Sequence, residues 1–410
     1  MKETTCRFCG ALLEAEFADL GMSPLANSFV HPEKVNAMEP FYPLHALVCG
    51  KCFLVQLEEF ETPKEIFSDY PYFSSVSKGW LKHSCRYAEQ MVERLGLDER
   101  SQVVELASND GYLLQFFSKR GIPVLGVEPA ANVAEVAEEK GIPTVVKFFG
   151  EDVARSLAGE YAADLLLGNN VLAHVPDLND FVAGMKVLLK PGGVITMEFP
   201  HLMRLIEENQ WDTIYHEHFS YFSFLTVSAV FEAHGIKLFD VEELSTHGGS
   251  LRIYGAHADD EAKQESDAAR ELRERERVAG YESLETYLGY GLRVEADKRQ
   301  ILRFLIELKE QGKRVVAYGA PAKGNTLLNY CGVRIDMIEY TCDLSEHKQG
   351  NYLPGSRIPI FDPEVLREDK PDIVLILPWN IKDEIVAQLS FIEDWGGRFA
   401  ARTPELTLLS

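Results

Sequence analysis

The chain has no apolar run near the ~18–20 residues needed to cross a bilayer, and its opening MKETTCRFCG lacks the apolar stretch of a secretory signal. Both absences lead us to expect a cytoplasmic protein with no membrane attachment. Positive charge is scarce as well: 41 Lys and Arg stand against 64 Asp and Glu, a formal net charge of −23. Nucleic acids and anionic membranes are bound by neutralising phosphates, so neither is an expected partner. No obligatory protein partner is evident. An anionic small molecule would need locally placed cations and helix N-termini. Cysteine is sparse, at seven residues. An odd count with paired spacing argues against a disulfide framework and for metal binding plus reduced core thiols. Two nucleotide signatures are also missing, the dinucleotide loop G-x-G-x-x-G and the phosphate loop G-x-x-x-x-G-K-[ST].

What is present begins with the cysteines. Cys6-Arg7-Phe8-Cys9 and Cys49-Gly50-Lys51-Cys52 are two C-x-x-C pairs, with Gly10 and Gly50 available for the bends. Two such knuckles make a closed sulfur cage suited to structural zinc, with no open position for chemistry. Zinc would staple a unit too small to bury much core. A redox pair would sit at a strand–helix junction, and neither pair does. Residues 1–75 are thus expected to form a small zinc-binding domain. Its tail, SDYPYFSS (68–75), is a surface loop or a lid over a neighbouring site.

The 410 residues argue for two or three domains, and 46% hydrophobic residues argue for packed ones. Helical spacing runs from Ser77, a candidate N-cap, to Leu95. Strand-like runs then alternate with helical ones: VVEL (103–106), VLGV (124–127), TVV (144–146), DLLLG (164–168) and VITMEF (194–199). That alternation predicts a parallel sheet covered by helices on both faces. Ligands of such sheets bind at the C-terminal strand edge. At that edge the first strand ends in Glu105-Leu106-Ala107-Ser108-Asn109-Asp110-Gly111, the second in Glu128, and the fourth in Asn169-Asn170, followed by His174. Glu128 can bridge two ribose hydroxyls, and the two asparagines can bond an amino-acid group.

The fifth strand leads into WDTIYHEHFSYF (211–222), which has neither helical nor strand periodicity. It concentrates Asp212, Tyr215, His216, Glu217, His218 and Tyr221, groups that move protons near neutral pH. On composition alone it reads equally as a polar loop. Its place over the cofactor edge makes it the expected reaction centre. Next comes His247-Gly248-Gly249-Ser250-Leu251-Arg252, a glycine turn into a strand, with His247 and Arg252 as candidate substrate contacts. This second domain is expected over 76–260.

Residues 261–410 are expected to form a charged helical connection and a second, smaller Rossmann-like sheet from VVAYGA (315–320), MIEYTCD (337–343) and DIVLIL (372–377). The turn Tyr318-Gly319-Ala320-Pro321-Ala322-Lys323-Gly324-Asn325 opens a helix near 324–330, an arrangement suited to phosphate. Gly319, Lys323 and Asn325, with Lys348 and Arg357 from the next loop, are candidate contacts to a nucleotide or diphosphate. Trp379 and Asn380 follow the third strand of this sheet and can join them.

Taken in order, the double C-x-x-C, E-L-A-S-N-D-G, I-Y-H-E-H-F, H-G-G-S-L-R and Y-G-A-P-A-K-G-N resemble the three-domain sugar C-methyltransferases that act on dTDP-linked deoxy-4-ketosugars. The likeness covers nearly the whole chain. It implies S-adenosyl-L-methionine held by Glu105, Ala107, Ser108, Asn109, Gly111, Glu128, Asn169 and Asn170. It also implies structural zinc on Cys6, Cys9, Cys49 and Cys52, and a dTDP-linked ketosugar held partly by the last domain. Tyr215, Glu217, His218 and His174 would be catalytic, and a substrate-facing tyrosine would be Tyr70 or Tyr72. In the expected mechanism His218 removes a proton beside the 4-keto group. Tyr215 or His174 stabilises the enolate, Glu217 orients or recharges the histidine, and the carbanion takes the sulfonium methyl. The alternatives are an NAD-dependent sugar oxidoreductase, a zinc-ribbon interaction protein with a degenerate methyltransferase fold, and a methyltransferase on another activated ketone.

Overall fold

A computed structural model describes residues 4–62, 73–402 and 405–409. Tyr70 and Tyr72 lie outside the described residues. The first unit carries three antiparallel strands besides its knuckles: β1 (Ala15–Ser23), β2 (Tyr42–Val48) and β3 (Val55–Leu57). The sequence reading had missed them, because β1 carries Gly21 and alternates imperfectly in AEFADLGMS. Its pairing with β2 accommodates this through two register shifts.

The middle unit opens on the helix Lys78–Leu95. Ser77 caps it by accepting from the Trp80 amide at 3.2 Å, and Gly96 ends it at φ 64°. The expected strands follow as β4 (Val103–Leu106), β5 (Val124–Val127), β6 (Thr144–Val145), β7 (Ala163–Asn169) and β8 (Leu189–Pro200). Then come β9 (Ser220–Tyr221), β10 (Ile236–Leu244) and β11 (Ser250–His257). The seven-stranded sheet runs β10-β11-β8-β7-β4-β5-β6, parallel from β8 to β6, with β11 antiparallel to β8 and β10. Strand order reverses between β4 and β7, and this is where an open α/β sheet forms its ligand cleft. Strand β9 leaves this sheet and pairs with β3 instead, so the stretch around Tyr221 is stitched to the first unit.

The last unit contains β12 (Val315–Tyr318), β13 (Thr341–Cys342), β14 (Ile360–Phe361), β15 (Ile373–Ile376), β16 (Arg398–Arg402) and β17 (Leu406–Leu408), in the order β14-β13-β12-β15-β16-β17. The run MIEYTCD contributes only two residues of strand. Residues 261–311 do more than connect. The helix Tyr290–Glu310 buries Tyr290, Val294, Ile301, Leu305 and Leu308 along one face, together with one charged residue, Asp297, which pairs with Arg402. Phe17 of β1 stacks on Tyr290 with ring centroids 4.5 Å apart. One apolar core accordingly runs from the first sheet through this helix to the last sheet, and two others cover the faces of the central sheet. Among the described residues no helix is long and apolar enough to cross a membrane.

Candidate active site

The sulfur cage forms as expected. The Sγ atoms of Cys6, Cys9, Cys49 and Cys52 all lie within 4.8 Å of one another. The Gln56 amide reaches the Cys6 sulfur at 3.2 Å, and the Lys51 backbone amide reaches that of Cys49 at 3.4 Å. Four converging sulfurs with N–H donors fit a closed, structural zinc site and leave no position for substrate. The first knuckle bends at Gly10 (φ 71°), but the second takes its left-handed residue at Phe53 (φ 60°) and not at Gly50.

At the cleft of the central sheet, Ala107, Asn109 and Asn170 have positive φ (55°, 49° and 55°), a strained choice for residues with a Cβ. The strain wraps the loop after β4 around the strand edge. Gly126 in β5 permits this approach, since a Cβ there would meet the Ser108 Oγ at 2.3 Å. Glu128 accepts from the Asn109 and Ala130 amides at 2.9 and 2.8 Å. Asn109 in turn accepts from the Ser74 amide at 2.9 Å, and Asp110 accepts from the Ser75 amide at 3.3 Å, so residues 74–75 clasp the loop. Ser108 Oγ and Asn170 Oδ1 are buried without a hydrogen-bond partner, and Glu105 and Asn169 flank the buried Tyr112 hydroxyl. Burial pushes the Glu105 carboxyl well above the ordinary range. Buried, unspent donors and acceptors beside an acidic strand end fit a ligand that brings a cation, an amino-acid group and a ribose, as S-adenosylmethionine does.

The WDTIYHEHFSYF stretch crosses the rim of this cleft, held by contacts from three directions. The Phe219 amide donates to the Ala173 carbonyl at 2.7 Å. Thr326 donates to the Ile214 carbonyl at 3.0 Å. Asp212 accepts from Trp379 Nε1 at 2.7 Å and from Arg402 at 2.9 Å. Between these anchors, Tyr215, Glu217, His218 and His174 come together. His218 Nδ1 lies 3.1 Å from the Thr213 carbonyl, which can only accept, so Nδ1 carries the proton. His218 Nε2 therefore offers its lone pair to the Tyr215 hydroxyl at 2.8 Å. Thr213, not Glu217 as expected, orients this histidine. The His174 ring stands edge-on to His218, centroids 4.7 Å apart. Burial holds both imidazoles neutral, His218 well below its usual pKa and His174 at about 4. Glu217 accepts from Asn27 Nδ2 at 2.8 and 2.9 Å, and burial pushes its carboxyl up to about 7.

His247 joins from the turn after β10. Its Nε2 lies 3.1 Å from Asn170 Nδ2, and its ring meets Trp80 at 5.4 Å. Gly248 has no room for a side chain, because a Cβ would meet Trp379 at 2.4 Å. Lys323 stands 4.2 Å over the Trp379 ring and bonds Asn380 Oδ1 at 2.8 Å; burial lowers its amine to about 8. Gly319 takes φ 88° ahead of that helix.

Other expected substrate contacts are engaged elsewhere. Arg252 is buried between Glu198 at 3.0 Å and Glu242 at 2.9 Å, so its charge is spent on the strand end. Arg357 pairs with Glu39 of the first unit at 2.6 Å. Asn325 Nδ2 donates to the Ala26 carbonyl at 2.6 Å, and Lys348 to the Ala320 carbonyl at 3.0 Å. The sequence reading missed Asn27, His83 (3.0 Å from Glu198) and Arg402. Asn27 sits in a short polar turn with no periodicity, and Arg402 in a strand that had not been recognised.

The chain matches the family model of a zinc binding domain over residues 6–67, of a methyltransferase domain over 80–241, and of a C-methyltransferase C-terminal domain over 245–404. It is 37% identical over 409 residues to the C-methyltransferase NovU of Streptomyces niveus, covering 99% of this chain and 96% of that one. A ubiquinone biosynthesis O-methyltransferase of Bordetella avium is 29% identical over 110 residues, 26% of this chain and 45% of that enzyme. A solved S-adenosylmethionine-dependent methyltransferase of Clostridium acetobutylicum superposes with a TM-score of 0.35 at 10% identity, over 43% of this chain and 92% of that one.

Proposed function

Because this chain belongs to the S-adenosylmethionine-dependent C-methyltransferases with an N-terminal zinc domain, we propose that it methylates the third carbon of a dTDP-linked 4-keto-deoxyhexose through an enolate. Family membership removes the oxidoreductase and degenerate-fold alternatives. The observation that carries the finer reading is the Tyr215–His218 pair, whose tautomer is set by Thr213, at the rim of the cofactor cleft.

A 4-keto group acidifies the hydrogen on the neighbouring carbon. On substrate binding the Tyr215 hydroxyl would turn from His218 Nε2 to the ketone oxygen, and the Nε2 lone pair so freed accepts the proton as the C–H pair moves toward that oxygen. The developing oxyanion takes hydrogen bonds from Tyr215 and His174 in a site shielded from water. Glu105, Asn109, Glu128, Asn169 and Asn170 would hold S-adenosylmethionine, which when bound would supply a sulfonium methyl to the deprotonated carbon. Lys323, over the Trp379 ring, would meet the anionic part of the substrate. Gripping the nucleotide there brings the carbon to the methyl, and proximity is a large part of the rate.

The test is incubation with S-adenosylmethionine and a panel of dTDP-4-ketosugars and simpler activated ketones, read by mass for one added methyl. Exchange of the sugar hydrogen in deuterated water isolates the first step. His218→Asn should retain S-adenosylmethionine binding by calorimetry and lose exchange by about 10²–10⁴-fold. Full exchange in that variant would remove His218 as the base, and methylation of a non-sugar ketone alone would remove the sugar.

A further inference from the structure

The first unit carries zinc far along the sequence from the reaction centre, yet one of its side chains ends inside that centre. Asn27 lies in the turn after β1, and its Nδ2 meets both oxygens of Glu217 at 2.8 and 2.9 Å. Glu217 is 4% exposed, and among the described residues no other side chain is recorded as bonding its carboxylate. The turn is itself fastened to the last unit on both sides of Asn27. On one side the Ala26 carbonyl accepts from Asn325 at 2.6 Å. On the other, Val30 and Tyr352 exchange two backbone hydrogen bonds of 2.9 Å. The neighbour of Asn325 on the same helix, Thr326, holds the backbone of Ile214, three residues before Glu217. One helix of the last unit, Ala322–Cys331, is thereby the common mount for the asparagine and for the carboxylate it meets.

We propose that Asn27 is a positioning residue for the methyl-transfer reaction: its amide fixes Glu217 in place and favours its ionised form against burial, so the zinc unit supplies part of the reaction centre. The groups around Glu217 leave this task to the asparagine. Burial drives the carboxyl toward its neutral form, and among the described residues the Asn27 hydrogen bond is the influence opposing it. The nearby imidazoles offer no cation to do so, since His174, His216 and His218 are all pushed by burial toward the neutral form. An amide is suited to the position. It donates without carrying charge, so it steadies the anion while leaving Glu217 near neutrality, at about 7, where it can give and take a proton. A cation there would lock the carboxylate, and an apolar residue would leave it protonated.

The catalytic half of this inference rests on the reaction proposed above, and the electrostatic half does not, which makes the two separable. Infrared pH-difference spectra of the zinc-loaded full chain report carboxyl protonation without substrate. The Glu217 band is the one lost in Glu217→Gln. In Asn27→Ala its titration midpoint should rise by about one unit or more, and in Asn27→Asp, where two carboxylates face each other, it should rise further. S-adenosylmethionine affinity and zinc content should equal those of the starting protein, which shows that the fold is intact. With whichever ketone the starting protein methylates, Asn27→Ala should lower kcat roughly 10- to 100-fold, as loss of an orienting partner does, and move the acid limb of the pH profile upward in step with the infrared midpoint. Asn27→Ser, which keeps a donor, should fall between. An unchanged midpoint in Asn27→Ala overturns the proposal, as does a shifted midpoint with unchanged kcat and pH profile. A starting protein that methylates no ketone overturns the proposed function, and the infrared result then still decides whether Asn27 governs the charge of Glu217.

Discussion

Replacing Arg402 with Met should destabilise the protein by about 3–5 kcal/mol and reduce its activity at the same time. Arg402 is 1% exposed, and its guanidinium lies between Asp212 at 2.9 Å and Asp297 at 2.7 Å. A third arm bonds the Asn209 carbonyl, and the guanidinium stacks over Trp211 at 4.8 Å. Methionine recovers much of the packing but none of the charge. It leaves two buried carboxylates, each with a single indole donor: Trp379 on Asp212 at 2.7 Å and Trp211 on Asp297 at 2.6 Å. Stranded buried charges of this kind are far costlier than the pair itself is stabilising. Because Asp212 lies three residues before Tyr215, the disturbance reaches the reaction centre directly. Urea unfolding followed by tryptophan fluorescence would report the loss, with methyl transfer assayed in parallel. A second replacement tests the reason. Adding Asp212→Asn removes one stranded charge, so the double variant should be less destabilised than the two single losses summed. A loss under about 1 kcal/mol for Arg402→Met, the range of a surface ion pair, would refute the reasoning, and so would strict additivity.

Removing zinc with a chelator, or replacing Cys6 with Ala, should unfold the first unit, because the metal supplies most of the order of such knuckles. Metal content and the amplitude of thermal unfolding would show it. Acidification should destabilise the fold through His174 and His247, which burial depresses from 6.5 to about 4 each. Below pH 6.5 the unfolded chain binds the additional protons, so stability falls from pH 6.5 down to about 4 and is level above. The upper bound is about 3 kcal/mol for each histidine. Glu217, raised from 4.5 to about 7, has the opposite sign, contributing a loss of stability as pH rises between those values. Urea midpoints at pH 5 and 7 should therefore differ in favour of pH 7, the two histidines outweighing one carboxyl. Gly248→Ala should cost about 1–3 kcal/mol, since its φ of 92° and the Trp379 ring 2.4 Å from a new Cβ both oppose a side chain. Thermal melting measures it.

Much of this protein is local, and what is local could be read from the sequence. The C-x-x-C pairs announced a sulfur cage because two residues between cysteines are enough to turn both thiols to one side. The strands from VVEL to VITMEF announced a parallel sheet because each is a short branched run between helical stretches. The acidic strand ends, the asparagines after β7 and the dense Tyr-His-Glu-His stretch followed as the residues at its edge. Only the tertiary structure decided how charges and donors far apart in the sequence were allotted. Arg252 and Arg357 looked like free cations and are spent on Glu198 and Glu39. Glu217 looked like the partner of its neighbour His218, yet it faces Asn27, 190 residues away, while a backbone carbonyl holds the histidine. A hydrogen bond depends on which groups the packing brings within about 3 Å, and composition and periodicity carry no record of that. Sequence thus determined the folds and the edge where chemistry gathers, and burial and pairing in three dimensions decided which side chains do that chemistry and which only hold it in place.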